Sequence, residues 1–228
     1  AARQQVAQVI GAPTRQIFFT SGGTEANNLA IRGSVLAARK EGRLRGRIIT
    51  TAIEHSSVLE SCRSLEEEGY EVVFIRPRDG RIQADDVIGA VNQDTLLVSV
   101  MAVNNETGER LPVEEMFAGV KQKNPDVLVH CDCVQGFGKI LFSLNRIKAD
   151  MVTMSSHKIH GPKGCGAIYV REGVNLRPLC FGGSQESRVR PGTENVPGIA
   201  AFGHASLKAL RDIRENWEHV KELNLYLR

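Results

Sequence analysis

Chemically active side chains follow several of the predicted strands of this chain. Lys158 lies in a loop bounded by Gly and Pro residues, where a free lysine amine could form a Schiff base with a carbonyl compound. Asp132 follows an apolar run and should be buried, and a buried carboxylate needs a cation or a strong donor beside it. A protonated pyridine nitrogen would be such a partner, as in pyridoxal enzymes. Taken singly, Lys158 could be a solvated loop residue and Asp132 a structural cap.

A glycine turn and a histidine add to these candidates. Ser21-Gly22-Gly23-Thr24 joins a strand to a helix, where free backbone N–H groups attract anions such as phosphate. The turn has neither P-loop nor dinucleotide-binding spacing, and it could also be an ordinary turn with Thr24 as the N-cap. His55 could stack on a planar ring and transfer a proton, or could simply mark the start of a helix.

The cysteines do not predict disulfides or a metal site. Their odd number favours a reducing compartment over a disulfide framework, and they are Cys62, Cys131, Cys133, Cys165 and Cys180. His130 and Asp132 alternate with Cys131 and Cys133, so the two pairs should face opposite sides of a strand rather than bind one metal. Free thiols packed in the interior are the simpler interpretation.

Composition excludes several classes of protein. The chain has 228 residues, with 29 Lys+Arg against 26 Asp+Glu and a formal net charge of +3. No apolar run approaches the roughly 18 residues of a membrane helix, and no segment has the composition of a disordered tail. The charges are dispersed, which argues against a nucleic-acid or membrane partner but allows a small anionic ligand.

Short apolar runs alternate with helical patterns, which predicts one α/β domain with a sheet covered on both faces. The predicted strands are 17–20, 47–51, 72–75, 95–100, 127–130, 151–154 and 165–170. The predicted helices are residues 1–6 as part of a first helix, 25–40, 57–68 with a Ser56 cap, 85–92, 113–124 and 197–228. Crossover helices imply parallel strands, whereas the short link before 165–170 implies one antiparallel return.

The polar residues that follow five of these strands should meet at one edge of the sheet, where α/β proteins bind ligands. These segments are 20–24, Glu54-His55, 104–106, 132–135 and 155–158. Their convergence brings Lys158, Asp132 and His55 into one predicted site.

The same motifs resemble the cysteine desulfurases of the NifS type and the related selenocysteine lyases, which are class V aminotransferases. The similarity extends from the first residues to about residue 203, with its blocks in the family's order. These blocks are 19–29, Glu54-His55, 103–108, Asp132 with Gln135, 155–164, 182–186 and 190–195.

The resemblance implies roles for individual residues. Lys158 would hold pyridoxal 5'-phosphate as a Schiff base and move the substrate Cα proton, Asp132 would pair with the pyridine nitrogen, and His55 would stack on the ring. Gln135 and Asn105 would contact the phenolic oxygen and the substrate side. The phosphate would be bound by Gly23, Thr24, Ser155 and His157, and Thr193 would reach the phosphate of a neighbouring subunit, which implies a homodimer.

The implied fold is the large domain of the PLP-dependent transferase fold type I, a three-layer α/β/α arrangement with a mainly parallel sheet and one antiparallel strand. Residues 1–203 would form this domain without its N-terminal segment, and residues 204–228 would begin a helix leading to a small C-terminal domain. In the family that small domain carries the cysteine that attacks the substrate sulfur and an arginine that binds the substrate carboxylate. None of the five cysteines here lies in a matching motif.

The implied reaction removes sulfur from L-cysteine, giving L-alanine and an enzyme persulfide for iron–sulfur cluster assembly or other sulfur transfer. L-selenocysteine, with release of selenide, is the alternative substrate. The expected partners are a second copy and a sulfur-acceptor or scaffold protein, in the cytoplasm or mitochondrion. Two other hypotheses remain at this point: a cofactor-binding fragment that serves only as a partner-binding or regulatory piece without turnover, and a mononucleotide-binding protein.

Overall fold

The computed structural model describes residues 1–227 and shows a seven-stranded sheet with helices on both faces. Its strands are β1 (Ile17–Thr20), β2 (Arg47–Thr51), β3 (Glu71–Ile75), β4 (Thr95–Met101), β5 (Leu128–Asp132), β6 (Met151–Ser155) and β7 (Gly166–Val170). Its helices are α1 (Ala2–Ile10), α2 (Gly23–Lys40), α3 (Ser56–Glu67), α4 (Ala84–Ala90), α5 (Val113–Lys123), α6 (Leu144–Ile147) and α7 (Val196–Leu227). Within residues 1–227, no helix has both the length and the apolar character needed to cross a bilayer.

The strand order is β1-β7-β6-β5-β4-β2-β3, and β7 alone runs antiparallel to its neighbours. The remaining pairs are parallel, which confirms the predicted mainly parallel sheet with one antiparallel strand. The chain moves outward from β2 to β3 and then returns to β4 on the other side of β2. Ligands of open α/β sheets bind beside such a reversal of strand order, at the carboxyl ends of the strands.

Two hydrophobic clusters cover the opposite faces of the sheet. Neighbouring residues of one strand fall into different clusters, as Ile48 and Ile49 do in β2, because successive strand side chains face opposite sides. Helices α1, α4, α5 and α7 contribute to one cluster, and α2 and α3 contribute to the other. The sheet is therefore the middle of the three predicted layers.

The predicted Ser56 cap is wrong, and so is the alternative in which Thr24 caps α2. Helix α3 begins at Ser56 with His55 as its N-cap, because the His55 ring nitrogen accepts a hydrogen bond from Ser57 N. Helix α2 begins at Gly23 with Gly22 in the N-cap position and no side-chain cap, so Thr24 lies inside the first turn. The glycine turn places the start of α2 two residues earlier than predicted, and the His55 ring nitrogen places the start of α3 one residue earlier.

Helix α7 runs without interruption through the predicted domain boundary at residues 203 and 204. Its first part packs on α1 and the sheet and contains the buried residues, of which Ile213 is the last. The later residues up to Leu227 are exposed, and Arg228 lies outside the described residues. The division into a cofactor domain and the start of a second domain remains a prediction.

Phe202 anchors α7 to the sheet. Its side chain is fully buried and makes edge-to-face contacts with Phe19 of β1 and Phe137, at centroid distances of 6.3 and 5.9 Å. Aromatic pairs in this arrangement are favourable beyond the area that they bury.

Replacing Phe202 by alanine should therefore lower the free energy of unfolding by about 3–5 kcal/mol, since it leaves a large cavity. Trp217 on the same helix is 53% exposed, so Trp217→Ala should change stability by less than about 0.5 kcal/mol. Urea unfolding of both variants of the 228-residue chain measures the difference, and equal losses would show that Phe202 is not the anchor.

Candidate functional site

The glycine turn brings the N-terminus of α2 against the ends of β5 and β6. A Cβ atom on Gly23 would lie 2.8 Å from Val134 Cγ2, so a larger residue would require Val134 or the helix start to move. On the other side, a Cβ atom on Gly166 would lie 2.6 Å from the Gly22 carbonyl carbon. These close approaches place the partial positive charge of the helix N-terminus at the edge of the sheet, where it favours an anion.

Lys158 lies on a short 3₁₀ turn that directly follows β6, at Ser156–Ile159. Ser156 N donates to the Cys165 carbonyl at 3.1 Å, and Gly161 N donates to the Ser156 carbonyl at 3.0 Å. Ile159 is buried against the core, so the turn is held from both sides. Lys158 itself is half-buried and lines a cavity.

Several cationic groups surround this turn. Burial lowers the pKa of His157, and the charges of Lys158, Lys163 and Lys139 lower it further. Burial and the nearby Lys158 charge likewise lower the pKa of Lys139. The Ser155 hydroxyl lies 2.8 Å from His157 Nδ1. A cluster of cations beside a helix N-terminus is suited to bind a phosphate group.

Asp132, the last residue of β5, is the anionic group of the same cavity. It is 4% exposed, and its two oxygens accept hydrogen bonds from Val134 N at 2.9 Å and Asn27 Nδ2 at 2.7 Å. Burial raises the pKa of Asp132, whereas these two donors and His55 oppose that rise. A cation placed against Asp132 from the cavity would stabilise the ionised carboxylate.

Three further predicted residues, His55, Asn105 and Gln135, line the same cavity. His55 follows β2 and is exposed, and its ring Nδ1 faces Ser57 Oγ at 2.9 Å. Asn105 follows β4 and is exposed. Gln135 accepts a hydrogen bond from Lys139 Nζ at 2.9 Å through its Oε1.

The structure gathers all the predicted site residues except Thr193 into one cavity of about 240 Å³. They are Gly23, Thr24, His55, Asn105, Asp132, Gln135, Ser155, His157 and Lys158. Thr193 lies exposed on a loop before α7, outside the lining of this cavity. The roles assigned to these residues remain predictions.

Other lining residues were not singled out from the sequence, namely Asn27, Ser57, Met101, Val103 and Val134. Asn27 follows Gly23 by four residues within α2, and such residues share one helix face. That spacing is the signal that could have identified it. Ser57 becomes relevant only through its contact with His55.

None of the five cysteines lines this cavity. Cys131 and Cys133 are fully buried in the hydrophobic cluster, and burial raises the pKa of both thiols. Within residues 1–227, no group of three or more His, Cys, Asp and Glu side chains is placed to hold a metal ion. Asp132 faces the cavity while its cysteine neighbours pack away from it, as strand alternation predicts.

Glu54 is a buried carboxyl group beneath the site. Its Oε1 accepts hydrogen bonds from Thr51 Oγ1 at 2.7 Å and Met101 N at 3.0 Å, so it joins the ends of β2 and β4. Its Oε2 is buried and has no hydrogen-bond partner among the described residues. Burial raises the pKa of Glu54 to about 8, with a smaller contribution from the charge of Asp132. Glu54 should therefore keep its proton to a higher pH than an exposed glutamate does.

Comparison with known proteins identifies relatives of this fold and sequence. Residues 1–228 match the family described as Aminotransferase class-V. The cysteine desulfurase IscS of Dictyoglomus turgidum is 41% identical over 226 residues, which cover 99% of this chain and 56% of that protein. A mitosomal cysteine desulfurase of Encephalitozoon cuniculi is 43% identical over 230 residues, covering 100% of this chain and 52% of that protein.

Solved structures agree with these similarities. A structure titled NifS-like protein superposes with a TM-score of 0.94 at 42% identity, covering 99% of this chain and 61% of that one. The chain thus spans about half the length of the curated relatives that it matches. The structural neighbour confirms the predicted fold type.

Glu54→Gln should alter the pH dependence of stability. The unfolded chain loses the Glu54 proton near pH 4.5, whereas the folded protein keeps it up to about pH 8. Between these values the unfolded state binds fewer protons, so the wild-type free energy of unfolding should fall with rising pH, by up to about 1.4 kcal/mol per unit. Glutamine keeps the shape and does not titrate.

Urea unfolding of both proteins from about pH 5 to about pH 8 measures this effect. The stability of wild type relative to Glu54→Gln should decrease steadily across that range. Parallel stability profiles would contradict the assignment of a protonated, buried Glu54.

Proposed function

The chain belongs to the Aminotransferase class-V family, which is PLP-dependent, and from this premise we propose that the cavity binds pyridoxal 5'-phosphate and that the whole protein is a cysteine desulfurase. The observation that carries the proposal is the placement of Lys158, Asp132 and an anion-attracting helix N-terminus around one cavity. The similar proteins named cysteine desulfurase support the choice of reaction.

The donor set of the cavity fits this cofactor at both ends. The N-terminus of α2 at Gly23 and Thr24, with Ser155 and His157, suits the phosphate, and Asp132 suits a protonated pyridine nitrogen. Ser155 ends β6 and Asp132 ends β5, so a ligand that contacts both would need an anionic and a cationic part. A mononucleotide would satisfy the anionic end but would leave Asp132 without a cation.

Bound at this site, the cofactor would supply an electron sink for the bonds at the Cα of an amino acid. Lys158 would attach it covalently and then hold or move the proton at that Cα. Asp132 would keep the ring nitrogen protonated, and His55 would stack on the ring and assist proton transfer. Gln135 and Asn105 would orient the ring oxygen and the substrate side.

The proposed substrate is L-cysteine and the products are L-alanine and a persulfide. The substrate C–S bond breaks, its sulfur atom joins an acceptor thiol, and the thiol proton balances the new C–H bond of alanine. Cys62, Cys131, Cys133 and Cys165 are buried and none of the five cysteines lines the cavity, so the acceptor thiol lies outside this set. The 228-residue chain alone should bind the cofactor without turnover.

Three finer assignments belong to the same proposal. L-selenocysteine is the alternative substrate, and comparison of alanine formation from both amino acids by the full-length protein tests it. In the proposed homodimer, Thr193 reaches the phosphate site of the partner subunit. Thr193→Val should therefore weaken cofactor retention only at protein concentrations at which the dimer forms, and a dilution series measures this. The persulfide would pass to an iron–sulfur scaffold or another sulfur acceptor, detectable as labelled sulfur on that protein.

The proposed location is the cytoplasm or mitochondrion. It is supported by the similarity to a bacterial desulfurase and to one named mitosomal. Imaging of the tagged full-length protein with compartment markers tests this, and a secreted product would contradict it.

Borohydride treatment of the chain after incubation with pyridoxal 5'-phosphate should fix a pyridoxyl group on Lys158. Peptide mapping by mass spectrometry locates the label. Lys139 and Lys163 are the nearby alternative amines, so a label on either would contradict the assignment. Lys158→Ala should remove the label and the visible absorbance, whereas Lys40→Ala, a change at the exposed end of α2, should keep both.

Asp132→Asn should leave attachment to Lys158 intact but lower the rate of alanine formation by the full-length protein by about 10²–10³-fold, comparable to losing one preorganised group that stabilises charge in the transition state. The reason is that an amide cannot hold the ring nitrogen protonated. Absorbance spectra measure attachment and amino-acid analysis measures alanine. A variant with wild-type rate would contradict the role of Asp132.

A further inference from the structure

A chain of buried polar side chains lies behind Asp132 and crosses three strands. Ser99 Oγ of β4 lies 2.8 Å from His130 Nδ1, and His130 Nε2 lies 3.2 Å from Thr153 Oγ1. Thr153 Oγ1 lies 2.6 Å from Asn27 Oδ1, and Asn27 Nδ2 lies 2.7 Å from Asp132 Oδ2. All these side chains are buried, so the contacts are not exchanged for water.

The orientation of the Asn27 amide sets the direction of each hydrogen bond. Its N–H faces Asp132, which can only accept in its ionised form, and its carbonyl faces Thr153. Thr153 therefore gives its single hydroxyl proton to Asn27 and accepts from His130 Nε2–H. Burial lowers the pKa of His130 to about 3, so the ring is neutral and its Nδ1 accepts from Ser99.

A branch connects the same amide to His55. Asn27 Nδ2 also lies 2.9 Å from Ser57 Oγ, which lies 2.9 Å from His55 Nδ1. His55 Nδ1 accepts from Ser57 N at 3.1 Å and so carries no proton, which means that the Ser57 hydroxyl donates to the same nitrogen. The His55 proton is thereby left on Nε2. Both N–H bonds of Asn27 are used, one for each branch.

We propose that Asn27 is a positioning residue that links Asp132 and His55, with its amide oriented by Thr153 and His130. This inference rests on the proposed function, since it concerns the two groups that would face the pyridine ring. Through the Asn27 amide, the network donates a hydrogen bond to the Asp132 carboxylate, which favours its ionised form. It also fixes which nitrogen of His55 carries the proton. No other side chain among residues 1–227 hydrogen-bonds the Asp132 carboxylate.

The first test uses the cofactor-free chain and nitrogen-15 NMR of the histidine rings at about pH 8, where an ordinary imidazole is neutral. His130 and His55 should both be protonated on Nε2 in wild type. Thr153→Val keeps the shape of the side chain and removes the hydroxyl, so the Nε2–H form of His130 should lose its preference, whereas Thr153→Ser should restore it. A wild-type His130 protonated on Nδ1 would overturn the proposed direction.

The second test uses chain loaded with nitrogen-15-labelled pyridoxal 5'-phosphate. Asn27→Leu and Thr153→Val should shift the ring-nitrogen signal toward the unprotonated form and weaken cofactor binding by about tenfold or more. Thr153→Ser should resemble wild type. Ser34→Ala is the matched control, because it also removes a buried hydroxyl. This hydroxyl lies in α2, outside the network, and bonds only to the backbone of its own helix and to a sulfur atom.

Thermal unfolding of each variant shows whether it is folded. If Asn27→Leu does not fold, Thr153→Val provides the test. Unchanged ring-nitrogen signals in a folded Thr153→Val would overturn the inference. If wild type takes up no cofactor at Lys158, the proposed function fails, and the histidine tautomers alone then support or overturn the network. The two failures are thus distinguishable.

Discussion

The negative charge of one buried carboxylate, Asp132, constrains most of the site. An ionised group with so little contact with water must be surrounded by donors or cations. The structure supplies the backbone N–H of Val134 on one side and the amide of Asn27 on the other. The remaining open direction is the cavity, and a cationic ring atom there would complete the shell of donors. The placement of α2 beside β5 and β6 is what brings Asn27 to this position.

Positive charge also lies beside this cavity. The N-terminus of α2 and Lys158 line it, and the pKa of His157 is lowered first by burial and further by the charges of Lys158, Lys163 and Lys139. A ligand that spans the cavity therefore meets cations at one end and an anion at the other. A phosphorylated pyridine carries the complementary charges, which is why this cofactor fits better than a nucleotide.

Much of the fold was predictable because strands and crossover helices follow local patterns. The strands were located to within two residues at each end, and the rule that ligands bind at the carboxyl ends of parallel strands gathered the site. The parts that were missed depend on contacts between distant segments. His55 caps α3 in place of Ser56, and Asn27 acts through Asp132, 105 positions further along the chain. Thr193 would need a second copy of the chain to reach a site.

We propose that Asp132 and Lys158 contact opposite edges of one pyridine ring, and a crystal structure of the cofactor-bound protein would show whether they do. We expect a ring nitrogen within hydrogen-bonding distance of an Asp132 oxygen, about 2.6–3.0 Å, with the Lys158 amine bonded to the carbon that carries the aldehyde. A cofactor whose nitrogen faces away from Asp132, or which occupies another cavity, would overturn this proposal.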